Sequence, residues 1–134
     1  MNNPTNLISE LGKLGNLTEL NISNNKITSI EGLQSLKQLS SLEISNNQIN
    51  DLTPLQDLSV LQSLNISGNM VSDINPLQTL NNISELDLSS NQITDLRPLS
   101  NLTKLSSINL SNNRIKNIEA LRRLNTVSTI YLPR

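Results

Sequence analysis

Residues 39–58 read LSSLEISNNQINDLTPLQDL, and the placing of apolar residues in this stretch decides the fold. Leu42 and Ile44 alternate with polar neighbours, the period of two that buries one face of a strand. From Ile49 the period becomes three, through Leu52, Leu55 and Leu58, which keeps one apolar side inward on an extended or 3₁₀-like return path. Asn47 stands between the two regimes. Residues 83–102, ISELDLSSNQITDLRPLSNL, repeat the whole pattern two steps further on.

The step is 22 residues. Leu20, Leu42, Leu64, Leu86, Ile108 and Ile130 keep this interval, and so do Asn25, Asn47, Asn69, Asn91 and Asn113. The chain divides into a partial unit over 1–16, five full units over about 17–126 and a terminal strand over 127–134, together one repeat domain. So short a unit has no room for a long outer helix, so the coils are expected to be flat and to stack their strands in parallel. Each coil buries aliphatic side chains at about 1.5–3 kcal/mol apiece against chain entropy. A single coil cannot stand alone.

The regularly spaced asparagine has a physical reason. Where the backbone leaves the strand, a side-chain amide can donate to and accept from freed groups of its own coil and the next. Aspartate cannot donate and serine reaches less far, so Asn25, Asn47, Asn69, Asn91 and Asn113 read as buried structural staples. Pro54, Pro76 and Pro98 share one phase, and proline suits the first position of a one-turn helix on the outer side.

The period also places the ends in mid-unit. Run backward, it puts Ile8, Leu11 and Leu14 at the phases of Ile30, Leu33 and Leu36, and Asn3 at the ladder phase. Neither end shows an amphipathic capping helix, although a short helix from Thr5 to Leu14 would partly cover the first edge. Apolar surface and unpaired strand edges are therefore expected at the termini, with two competing explanations: an origin in a longer array, which is favoured, or protection of the ends by self-association.

Composition removes several function classes. The 134 residues include no Cys and no His, so disulfides, thiolate metal sites, cysteine nucleophiles and imidazole bases are excluded. The four glycines are scattered and form no phosphate loop. A formal charge of −1, with Tyr131 as the one aromatic residue, gives no basis for binding nucleic acid or a membrane surface. No apolar run exceeds three residues and the N-terminus lacks a basic-then-apolar leader pattern, which favours a cytoplasmic setting. No cofactor, metal or catalytic residue is expected.

Five unbroken copies of L-x-x-L-x-L-x-x-N-x-I-x-x-I-x-x-L-x-x-L resemble leucine-rich repeats of the 22-residue class. The stretch Asn91 to Leu99 is similar to internalin units, while Ser29 to Leu33 and Ile130 to Leu132 resemble the phosphatase-regulator-type group. The resemblance implies an α/β repeat fold: a right-handed solenoid with a concave parallel sheet that binds proteins and a convex side of 3₁₀, short helical or extended segments.

Strand residues that alternate with the buried ones face the concave side. The first column runs Glu19, Ser41, Ser63, Glu85, Ser107, Thr129; the second runs Asn21, Glu43, Asn65, Asp87, Asn109, Tyr131; the third is serine from Ser23 to Ser111. Four acids and no Lys or Arg stand among them, a mildly negative face suited to a partner with a basic patch. The candidate protein-binding residues are Glu19, Glu43, Asn65, Glu85, Asp87, Asn109 and Tyr131. Tight interfaces rest on Trp, Tyr or Arg anchors, and only Tyr131 is present. The serine column reads as a solvated strand edge. From Arg97 onward the basic residues Arg97, Lys104, Arg114, Lys116, Arg122, Arg123 and Arg134 face one acid, Glu119, and read as a solvated convex wall. The expected function is a non-catalytic protein-interaction module, with a structural spacer in a longer internalin-like array as the alternative.

Overall fold

The computed structural model describes residues 4–133, the side chains of residues 4–6 excepted; Asn3, assigned above to the ladder, lies outside the described residues. Six three-residue strands, β1 (Glu19–Asn21), β2 (Ser41–Glu43), β3 (Ser63–Asn65), β4 (Glu85–Asp87), β5 (Ser107–Asn109) and β6 (Thr129–Tyr131), form one parallel sheet in chain order. Every strand pairs with the residue 22 positions on, as in Leu20 with Leu42 and Leu86 with Ile108. Constant coil length fixes this register, because a slip of one residue would turn each buried Leu to the outer face.

Each strand is joined to the next by a return carrying one 3₁₀ turn: Leu33–Ser35, Thr53–Leu55, Asn75–Leu77, Arg97–Leu99 and Glu119–Leu121. Pro54, Pro76 and Pro98 hold the second place in their turns, one later than expected. The preceding aspartate explains the shift. Asp51 Oδ1 accepts the Thr53 N–H at 2.9 Å, and Asp73 and Asp95 accept from Asn75 and Arg97 in the same way. A proline at the first place would remove that donor.

The interior is a single apolar column from Ile8 to Leu124. Leu33, Leu55, Leu77 and Leu99 are fully buried at one phase, and Leu36, Leu58, Leu80 and Leu102 at the next. Leu86, on the central strands, is 3% exposed.

The asparagine ladder runs alongside this column. Asn69 Nδ2 donates to the carbonyls of Ile66 and Ser67 in its own coil and of Ile44 in the coil before, at 3.0–3.2 Å, while its Oδ1 accepts the Ile49 N–H at 3.0 Å. Asn47, Asn91 and Asn113 repeat the arrangement. Asn25 departs from the expected burial: it is exposed and donates only within its own coil, to Ile22 and Ser23. The carbonyl 25 residues earlier that Asn47, Asn69, Asn91 and Asn113 bond has no counterpart for Asn25 among the described residues. One residue before each ladder Asn the backbone is left-handed, at Asn24, Asn46, Gly68, Ser90 and Asn112. Asn and Gly tolerate that region best.

The ends depart from the repeat in opposite ways. At the N-terminus, α1 (Pro4–Leu11) replaces the extended return and buries Ile8 completely; it is the short helix expected over Thr5 to Leu14, with shorter bounds. It ends at Leu11, short of Leu14, and the Gly12 that follows lies against the next coil, where a Cβ would meet the Gly32 carbonyl oxygen. At the C-terminus, Ile118, Ile130 and Leu132 are 41–48% exposed, although their phase-mates inside the array are buried.

Candidate functional site

The residues that alternate with the core column emerge on the outer face of the sheet, where they line a shallow groove of about 250 Å³. Its walls are Glu43, Ser63, Asn65, Glu85, Asp87, Ser107, Asn109 and Tyr131, with Leu64 and Leu86 on its floor. Six of the seven candidate residues thus meet over β2 to β6. Glu19 does not: it stands exposed on β1, beyond the groove's rim. Ser63 and Ser107 join the lining without having been singled out; their phase in the first column was the available signal.

Three carboxylates and no basic residue line the groove, so its field is negative. Asn65 Nδ2 lies 3.4 Å from both Glu43 carboxylate oxygens. The second and third columns are coupled. Asn65 Oδ1 accepts both the N–H and the hydroxyl of Ser67, at 3.0 and 2.7 Å, and the pairs Asp87 with Ser89 and Asn109 with Ser111 match those distances. The serines are therefore bonded turn residues rather than a free solvated edge, and Ser45 is buried with its hydroxyl donating to Ser23 Oγ at 3.0 Å. One oxygen each of Asn65, Asp87 and Asn109 is held by its own strand; their remaining polar atoms can address a partner.

The convex wall is differently built. Arg97 grips Asp95 at 2.7 Å, which holds that carboxyl well below its ordinary range, at about 2, chiefly through the side-chain hydrogen bond and then the backbone one. Arg122 lies 3.3 Å from Glu119, and Lys104 Nζ donates to Asn82 Oδ1 at 2.8 Å. These exposed pairs add little stability. No helix among the described residues is long and apolar enough to cross a membrane.

With coil length, ladder and face defined, comparison with known proteins gives the class. The leucine-rich repeat family model matches residues 15–59, 59–97 and 81–123, and the chain belongs to that family. Domains of this family generally serve as protein-interaction modules. Among solved structures, an internalin (InlF) of Listeria monocytogenes is similar at 33% identity and a TM-score of 0.78, over 94% of this chain and 44% of that one. The functional domain of InlJ from the same organism, which includes a cysteine ladder, aligns at 26% identity and a TM-score of 0.84, over 92% of this chain and 26% of that one. The ectodomain of the plant receptor kinase GASSHO1/SCHENGEN3 from Arabidopsis thaliana, solved in complex with CASPARIAN STRIP INTEGRITY FACTOR 2, shares the fold at 23% identity and a TM-score of 0.82, over 93% of this chain and 16% of that one. The chain thus spans less than half the length of each. No curated protein matches it significantly.

Proposed function

We propose that this repeat module binds a protein partner through the groove over β2 to β6, without doing chemistry on it, and that the partner presents a basic patch. The observation that carries the reading is the convergence of Glu43, Glu85 and Asp87 on one groove lined by no Lys or Arg. Tyr131 supplies the single aromatic anchor at its edge, while Asn65 and Asn109 offer amide donors. Affinity is modest, because charge complementarity speeds encounter and selects partners more than it tightens them. The plant receptor's peptide complex supports a protein ligand in general and says nothing of this partner.

A fluorescent lysine-rich peptide serves as the probe. The expected result is saturable binding that weakens with salt and falls about tenfold or more in the triple variant E43Q/E85Q/D87N, a change of roughly 1.4 kcal/mol. The amides keep the shape, and D87N keeps the oxygen that Ser89 needs. Equal binding by parent and variant would overturn the proposal. It would favour instead a spacer segment within a longer array, a reading supported by the greater length of the solved internalins.

A further inference from the structure

The second column of the sheet has a period of its own. From β1 to β5 it reads Asn21, Glu43, Asn65, Asp87, Asn109, an amide and a carboxylate taking alternate coils, and the parallel register sets each beside the next. The turn after each strand sharpens the alternation. Asn65 Oδ1 accepts the Ser67 N–H and hydroxyl, and Asn109 Oδ1 those of Ser111, so each amide presents its N–H donors to the groove. Asp87 commits one oxygen to Ser89 in the same way and presents the other. Glu43 takes only the long 3.4 Å contact from Asn65 among the described residues, which leaves the second hydrogen of that amide uncommitted.

We propose that the groove's basic partner is a proline-rich segment in the polyproline II conformation, lying across the strands with Lys or Arg at every third position. The assignment depends on the groove inferred above and names its ligand class. Neighbouring strands lie about 4.8 Å apart, so carboxylates two coils apart recur at about 9.6 Å. A polyproline II helix returns to the same side every three residues, over about 9.3 Å, so basic residues at i and i+3 meet Glu43 and Asp87 together. Other conformations miss that interval. A β-strand repeats a side every two residues, over about 6.7 Å, and an α-helix turns once in about 5.4 Å and twice in about 10.8 Å. The chemistry between the charges agrees. Proline has no N–H and the polyproline II backbone makes no internal hydrogen bonds, so the residues between two basic ones offer bare carbonyl acceptors. Asn65 stands between Glu43 and Asp87, and Asn109 stands next after Asp87, each with the donors those carbonyls need. Glu85, on the same strand as Asp87 and lining the same groove, adds a second carboxylate beside the second basic residue.

Titration of the isotope-labelled protein with short capped peptides, followed by NMR, tests it. Three peptides of one composition carry two lysines in a proline background, spaced two, three or four residues apart. All hold the polyproline II conformation, and only the spacing of three puts both charges on one side. That peptide should bind about fivefold more tightly than the other two, the worth of one well-placed exposed ion pair, and should shift the side-chain amide signals of Asn65 and Asn109. E43Q leaves one of the two contact points uncharged and should lower it to the level of the others. Equal affinity of the three peptides overturns the proposal. So does a spacing preference that survives E43Q, or an absence of binding by all three. The lysine-rich probe separates this result from that of the groove. If it binds and is weakened in E43Q/E85Q/D87N while the three peptides show no preference, the acidic groove stands and the polyproline II ligand falls; if that probe itself fails, both fall.

Discussion

The N-terminal and C-terminal coils carry apolar residues at the same phases but bury different ones: α1 seals Ile8 and leaves Leu14 52% exposed, whereas the last coil buries Leu124 and leaves Ile118 bare. Ile8 is fully buried while Ile118, its counterpart five steps on, is 48% exposed. The difference comes from what lies on the outer side of each. Ile8 sits on α1, which packs inward on a coil already in place; Ile118 belongs to the last complete return, with no further return among the described residues. Apolar identity therefore defines membership of the stack, and position along the stack decides whether burial is achieved.

The largest effect expected is at the centre. Leu77→Ala removes a fully buried side chain between two coils and should cost about 2–5 kcal/mol, whereas Leu121→Ala, at the same phase in the half-buried last coil, should cost clearly less. Urea unfolding of the two variants measures the gap; equal losses would show that both coils are equally packed and would end the contrast.

The ladder gives the next test. Asn69→Ala strips bonds from the buried Ile44, Ile66 and Ile49 backbone groups and should cost roughly 1–3 kcal/mol through groups left unsatisfied. Asn25→Ala leaves groups that water can reach, so its cost in the same assay should stay below about 1 kcal/mol.

The seal itself depends on Gly32. Its φ is +114°, and a Cβ there would lie 3.2 Å from the Ile8 carbonyl oxygen and 3.3 Å from Ser9 Cα. Gly32→Ala should cost about 1–2 kcal/mol by strain and by lifting α1. Hydrogen exchange should quicken at Gly12 and Leu33 and stay unchanged at Leu99. Uniform quickening would mean that α1 is coupled to the whole stack rather than seated on one coil.

How much of this was written in the sequence follows from which interactions have a period. Leu42 and Ile44 against Ile49, Leu52 and Leu55 announce strand and return, and the parallel register repeats the interval from Leu20 to Ile130. The groove was legible to the same extent, since the alternation that buries Leu64 and Leu86 turns Asn65 and Asp87 outward. Features set by contact rather than period were hidden. The pairing of Asn65 with Ser67 looks like two unrelated polar residues until the turn brings them within 2.7 Å. The proline phase was offset by one because the Asp51 bond to Thr53 is not visible as a pattern of hydrophobicity. Asn25 carries the same letter as Asn69 and differs only in what precedes it.

Acid provides the finest probe of the contrast between interior and end, because one device is built from different chemistry in different coils. The turn of the fourth return is closed by Asp95, which accepts the Arg97 N–H and side chain, and that of the second by Asp51, held below its ordinary range first by the Thr53 hydroxyl and then by its N–H. In the last return the same place is taken by Asn117, whose Oδ1 accepts the Glu119 N–H at 2.8 Å, and in the first by Ser29, whose Oγ accepts from Glu31 at 3.2 Å. A carboxyl whose folded pKa is depressed stabilises the folded state above its unfolded value and loses that contribution as pH falls through the folded one. For Asp95 the window runs from its ordinary 3.8 down to about 2. Lowering pH from 5 to 2 should therefore loosen the interior turns, seen as faster exchange of the Thr53 and Arg97 amides relative to a loop of unchanged chemistry, while the Glu119 amide keeps its relative protection. Asp95→Asn converts the fourth turn to the chemistry of the last and should flatten the response at Arg97 alone. The effect is small because Asp95 is solvent-exposed, so it is read from local exchange rather than global unfolding. A variant with the parent's pH response at Arg97 would show that acid acts elsewhere in the stack.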